Sequence, residues 1–103
     1  MPHRKQALAA LDALGDPTRR LLFERLASKP LPVGVLSEGL PISRSAVSQH
    51  LKILKNAGLV GNVIAGTRHV YYLDPRGIGV MRAWLERFFL SAQEHVARNG
   101  EGA

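Results

Sequence analysis

The chain has no cysteine. Disulfides, thiolate metal ligands and thiol redox sensing are excluded together. It has no apolar run approaching the ~20 residues a helix needs to cross a bilayer. Its opening residues, MPHRKQ, lack the apolar region of a secretory signal. A cytoplasmic protein without membrane contact is the expectation. No internal repeat, linker or low-complexity segment is present, so the 103 residues read as one domain with one small core. The most telling shortage is of acid. The carboxylates are Asp12, Asp16, Glu24, Glu38, Asp74, Glu86, Glu94 and Glu101. None falls between Glu38 and Asp74, a stretch that holds Arg44, Lys52, Lys55 and Arg68 with His50 and His69. The net charge of +6 suggests a polyanionic partner, and its distribution points to the middle third as the working surface.

The periodic segments punctuate cleanly. RKQALAALDAL (4–14) repeats apolar positions at helical spacing and meets Gly15. Asp16-Pro17 reads as N-cap plus first helical residue, starting a helix through about Ser28. Its inward stripe is expected at Leu21, Leu22 and Leu26, with Arg19, Arg20, Glu24 and Arg25 outward. KPLP breaks it, and VGVLSEGL (33–40) reads as a short, weak helix closed by Pro41. Ser43 caps the next helix, which stops at Gly58. LVGNVI and RHVYYL, separated by Ala-Gly-Thr, read as a β-hairpin, and Asp74-Pro75 launches a long helix. The order describes a winged helix-turn-helix: mainly α, about five helices plus a two-stranded wing. The expected bounds within the single domain 1–103 are about 33–57 for the helix-turn-helix, about 59–73 for the wing and about 75–98 for the last helix.

The helix after Ser43 divides on a helical wheel. Ala46, Val47, Leu51, Ile53, Leu54 and Ala57 share one arc of roughly 160°. Arg44, Ser45, Ser48, Gln49, Lys52, Lys55 and Asn56 occupy the other, without a carboxylate to form the i,i+4 pairs usual on a solvated face. Arg and Gln can pair with guanine and adenine edges, and Ser suits base or phosphate. Arg44, Ser45, Ser48 and Gln49 lie in the first two turns, the part of such a helix that reaches bases; Ser43, Lys52 and Lys55 suit phosphates. His50 falls on the apolar side and reads as packed at a helix–helix seam, one ring nitrogen bonded to backbone or phosphate. In the wing, Gly66 permits the turn, and Thr67 and Arg68 at its tip are further backbone contacts. Tyr71 and Tyr72 point to opposite faces. No catalytic residue is expected, because the neighbouring Ser48 and His50 face different sides with no carboxylate nearby to orient the base.

The last helix carries an apolar stripe too wide for one side of a small monomer. With Leu8 and Leu11 of the first helix, its Met81, Trp84, Leu85, Phe88, Phe89 and Ala92 predict a two-fold dimer through first and last helices. The aromatic row could instead line a ligand pocket.

Ser43–Val60, in the pattern S-x-x-x-V-S-x-H-L-x-x-L-x-x-A-G-L-V, resembles the recognition-helix segment of the ArsR/SmtB family of bacterial repressors. GDPTRRLLFERL (15–26) resembles the family's second helix, and GTRHVYYL (66–73) its wing. GLPISRSAVSQHLKILKNAGLV and YLDPRGIGVMRAWLERFF are similar to the cysteine-free branch typified by SdpR-like autorepressors. The resemblance implies a homodimeric repressor on an inverted-repeat, double-stranded DNA operator near its own promoter. It places Arg44, Ser45, Ser48 and Gln49 near the bases. Family metal sites need cysteines where this chain has Val33, Gly34 and Val35, or paired histidines and carboxylates on the last helix, where it has Glu94 and His95. His3 is the residue that would join those two across a dimer. No metal and no cofactor are expected, and no residue pattern names an effector. Two alternatives stay open at this point: a protein-interaction module on a winged scaffold, and a metal-responsive repressor with a non-cysteine site.

Overall fold

The computed structural model describes residues 3–99. Five helices and three short strands follow in the order α1 (Arg4–Ala13), α2 (Pro17–Arg25), β1 (Leu31–Pro32), α3 (Val33–Leu36), α4 (Arg44–Asn56), β2 (Val60–Ala65), β3 (Arg68–Leu73) and α5 (Pro75–Asn99). Both predicted caps form: Asp16 accepts from the Arg19 N–H at 3.0 Å and Ser43 Oγ from the Ala46 N–H at 3.1 Å. Each satisfies one of the orphan donors at a helix start.

At its other end α4 closes with a Schellman motif. The Leu59 N–H donates to Leu54 O and the Gly58 N–H to Lys55 O, with Gly58 at φ 81°, where a side chain would be strained. That turn throws the chain directly into β2. Strands β2 and β3 pair antiparallel from Val60–Leu73 out to Ala65–Arg68, around Gly66 at φ 66°. In this register Tyr71 faces the core and Tyr72 the opposite side, over Gly61.

The core gathers Ala10, Ala13, Leu22, Leu26, Leu36, Val47, Leu51, Leu54, Leu59 and Val60, with Ile78 and Met81 of α5 packed against it. Leu22, Leu36, Leu51, Leu54 and Leu59 are wholly buried. Since α3 and α2 both pack on α4, the apolar arc of α4 is the hub of the domain. α1 lies along the start of α5. Past Met81, α5 projects from the body and gives the molecule its 57 Å long axis.

Several boundaries differ from the sequence reading. α2 stops at Arg25 instead of about Ser28, because the chain before Pro30 must extend to form β1. KPLP is therefore more than a helix breaker: Leu31 and Pro32 pair with Tyr71 and Val70, adding a third strand beside the hairpin in the order β1-β3-β2. Pro32 is tolerated there because β1 is an edge. α3 ends at Leu36, not Leu40. Leu21 is 37% exposed, whereas Leu22 and Leu26 are buried in the core. Ile53 is 43% exposed, at the edge of the arc that α2 and α3 cover.

Two carboxylates are held ionised by the fold. The Arg19 N–H at its cap position holds Asp16 below the usual 3.8, and the Arg76 guanidinium, bonded to both Asp74 oxygens at 3.1 and 2.9 Å, does the same for Asp74. A depressed native pKa means the unfolded chain binds these protons more tightly. Their contribution is complete above about pH 4 and is lost as pH falls through the lower, folded values. The thermal midpoint should therefore decline on acidification below about pH 4, and the Asp16→Asn and Asp74→Asn variants should show a shallower decline over that range in calorimetry. Parallel curves for wild type and variants would exclude these two groups as its source.

Candidate nucleic-acid interface

The burial of α4 follows its two faces. Val47, Leu51 and Leu54 are inaccessible, while Arg44, Ser45, Ser48, Gln49, Lys52, Lys55 and Asn56 are exposed. The N-terminal part of this polar face opens onto a groove of about 740 Å³. Arg44, Ser45 and Ser48 form one wall, Thr67, Arg68 and His69 of the wing the other, and Val33, Gly34 and Tyr71 lie between them. First-turn residues of α4 and the wing tip, separated by some twenty positions in sequence, thus share one concavity.

Gln49 and Lys52 are outside that groove, on the outward crest of the helix. Lys55 lies elsewhere again, in a second concavity with Gln6, Tyr72, Asp74 and Arg76 near the start of α5. Ser43 keeps its expected place, but its oxygen is engaged as the helix cap. Of the expected dimer residues, Leu8, Leu11 and Trp84 are half-buried and Met81 packs on the core; Leu85, Phe88, Phe89 and Ala92 are exposed along the projecting helix. Trp84 and Phe88 meet in a tilted contact, 4.8 Å between ring centroids at an interplanar angle of 60°.

Sequence reasoning missed how many cations the fold itself uses. The arginines of α2, expected to face solvent, hold carbonyls at neighbouring helix ends. Arg19 Nε donates to Ala13 O at 2.7 Å, and Arg20 Nη1 to Leu14 O and Gly15 O. Arg25 Nη1 donates to Leu36 O and Glu38 O, behind α3. Cations at helix C-termini satisfy orphan carbonyls and oppose the helix dipole. Arg19 and Arg20 lie in the first turn of α2, just past the end of α1, and Arg25 is the last residue of α2. Glu38 was also missed, for it lies on the rim of the groove although it sits outside the acid-free stretch. The close turn of a helix-turn-helix brings the end of α3 to the start of α4.

His50 sits at the α2–α4 seam, with a different partner from the one expected. Its Nδ1 is 3.4 Å from Arg19 Nη1 and 4.0 Å from Asp16 Oδ2. A carboxylate therefore does stand near the ring, brought from α2. Ser48 is on the other flank of α4, so no nucleophile–base pair results. Among the described residues, no group of three or more His, Cys, Asp or Glu side chains converges as a metal site, and no helix is long and apolar enough to cross a membrane. Glu94 pairs with Arg98 and His95 with Asn99 on the exposed end of α5.

A helix-turn-helix packed on a β-wing, with the second helix presenting an acid-free polar face, defines a winged helix-turn-helix DNA-binding regulator of transcription, not an enzyme. Comparison with known proteins agrees. Residues 16–61 match the bacterial regulatory protein, arsR family. The chain is 57% identical over 83 residues to the HTH-type transcriptional regulator Rv2034 of Mycobacterium tuberculosis, covering 81% of this chain and 78% of that protein. It is 35% identical over 60 residues to the transcriptional repressor SdpR of Bacillus subtilis, covering 58% of this chain and 66% of that one. A crystal structure of a possible transcriptional regulator for arsenical resistance superposes with a TM-score of 0.73 at 37% identity, covering 87% of this chain and 94% of that chain. The chain belongs to the ArsR family, and its lack of cysteine fits the branch expected from sequence.

Proposed function

We propose that this protein is a sequence-specific repressor that binds an inverted-repeat DNA operator as a homodimer in the cytoplasm, regulating its own promoter among its targets. The observation that carries the reading is the shared groove. The acid-free first turns of α4 and the wing tip open onto one concavity, so a duplex seated on α4 meets both. In this reading Arg44, Ser45, Ser48 and Gln49 face base edges in the major groove. Ser43, Lys52, Lys55, Thr67 and Arg68 hold phosphates. A second copy, related by a two-fold axis through α1 and α5, sets the second recognition helix about one duplex turn away. Support for a dimer comes from the exposed apolar row Leu85, Phe88, Phe89 and Leu90, which this chain alone leaves in water. Occupancy of a promoter by such a dimer excludes polymerase.

Footprinting on the DNA upstream of the protein's own coding sequence tests this, since it yields operator and half-site spacing together. In a fluorescence titration the footprinted duplex should bind tightly and with a steep salt dependence, and a scrambled duplex far more weakly. Equal affinity for both would remove sequence-specific binding and favour an interaction module. Gln49→Ala should lose about 1–3 kcal/mol of discrimination, whereas Lys52→Ala should weaken every sequence alike and lower the salt slope by about one. Matching profiles for the two variants would contradict the division of roles.

A further inference from the structure

Arg44 rests on a glycine. A Cβ placed on Gly34 would collide with Arg44 Nη2 and lie 3.2 Å from its Cζ and 3.7 Å from its Nε. The Nη2 end of the guanidinium therefore reaches the α3 backbone at Gly34, in the volume any other residue's Cβ would fill. Glycine has no backbone reason to be there. Gly58 and Gly66 stand at positive φ, but Gly34 has an ordinary φ inside a helix. There glycine is the poorest choice apart from proline. Its carbonyl is also conventionally satisfied, by the Ser37 hydroxyl at 3.1 Å. What glycine uniquely supplies is space.

That space belongs to the groove. Gly34, Arg44 and Arg68 all line it, and among the described residues Arg44 has no hydrogen-bond or ion-pair partner of its own. Its donors stay available while its Nη2 end rests in the space that Gly34 leaves open. A long side chain held in one orientation before binding loses less conformational entropy on binding.

We infer that Gly34 is a positioning residue for DNA recognition: by lacking a Cβ it seats Arg44 against α3 and aims the guanidinium into the groove between α4 and the wing. The inference rests on the DNA-binding reading above and adds a residue from α3, outside the recognition helix and the wing. It assigns α3 an active part in setting affinity, through a contact that a single methyl group removes.

The test compares wild type, Gly34→Ala, Arg44→Ala and the double variant on the duplex footprinted upstream of the protein's own coding sequence. The clashing atoms are the far end of a flexible side chain, so Gly34→Ala should fold normally, with a thermal midpoint equal to or above that of wild type. Its affinity should nevertheless fall about tenfold, approaching that of Arg44→Ala. In the Arg44→Ala background the same Gly34→Ala change should alter Kd by less than about twofold, because the side chain it displaces is gone. In the free protein, nuclear Overhauser contacts between Gly34 Hα and the Arg44 side chain should be present in wild type and absent in Gly34→Ala. Wild-type affinity for Gly34→Ala, or an equal loss in both backgrounds, overturns the inference while leaving DNA binding intact. A wild-type chain that does not distinguish the footprinted duplex from a scrambled one overturns the functional reading and this inference with it.

Discussion

Replacing Gly77 with alanine is expected to destabilise the fold by about 3 kcal/mol and to lower the thermal midpoint by roughly 15 °C. Gly77 is buried in the first turn of α5, and its Cα faces the backbone of Gly58. A methyl group there would overlap the Gly58 carbonyl carbon and oxygen. Neither side can yield cheaply. Gly58 is pinned by the Schellman bonds that end α4, and the start of α5 by the Asp74 N–H, which donates to Leu59 O at 2.9 Å. Relief requires α5 to lift from the α4–β2 junction, opening the contacts of Ile78 and Met81 with the core. Helix propensity alone predicts the opposite sign, a gain of up to about 1 kcal/mol for Gly→Ala. Gly79 supplies the control: it is exposed, with nothing within 4 Å of a Cβ, so Gly79→Ala should stabilise by up to about 1 kcal/mol. Chemical denaturation of both variants decides the matter. A Gly77→Ala protein as stable as wild type would show that the junction is not close-packed.

The second large effect concerns assembly. The double change Phe88→Asp with Phe89→Asp should convert the dimer to a monomer in sedimentation or size-exclusion measurements. It should also weaken operator binding by about 100-fold or more. Phe88 and Phe89 are 54% and 56% exposed, flanked by Leu85 at 47% and Leu90 at 55%, on a helix that has left the body of its own chain. Because these side chains support no core, their replacement should leave the monomer folded, with a far-ultraviolet spectrum like that of wild type. Two carboxylates in a two-fold contact face their own copies, and burying them unpaired is costly. Every residue proposed to face DNA remains in place. The lost affinity therefore measures the linkage of two half-sites, not a damaged site. A variant that keeps the wild-type mass, or a wild type that is monomeric at the concentrations used for DNA binding, would remove the proposed interface.

Much of the architecture was legible because it is written locally. Asp16 and Ser43 are capping residues placed before periodic segments, and both caps form, on the Arg19 and Ala46 N–H groups. Gly58 ends α4 because only glycine takes its φ without strain, and a single-residue signal suffices for that. The two faces of α4 follow from spacing alone. The legible part fails where distant segments meet. A two-residue strand such as Leu31–Pro32 has no period to detect, and it exists because β3 offers it a free edge. Leu21 and Ile53 have apolar side chains on plausible arcs, yet each lies where no other element reaches.

The sequence by itself determined which segments are helices and hairpin, which face of α4 is anchored, and that its other face carries no acid. These are properties of spacing and residue type within one segment. Only the tertiary structure decided which cations remain free for a partner. Arg19, Arg20 and Arg25 are engaged with carbonyls, Lys55 is separated from Arg44, and Arg44 is seated on Gly34 opposite Arg68. Charge pattern records how many positive groups a stretch contains. Where each can reach depends on distances between elements, and those distances are fixed when the apolar arcs of α2, α3 and α4 close on one core.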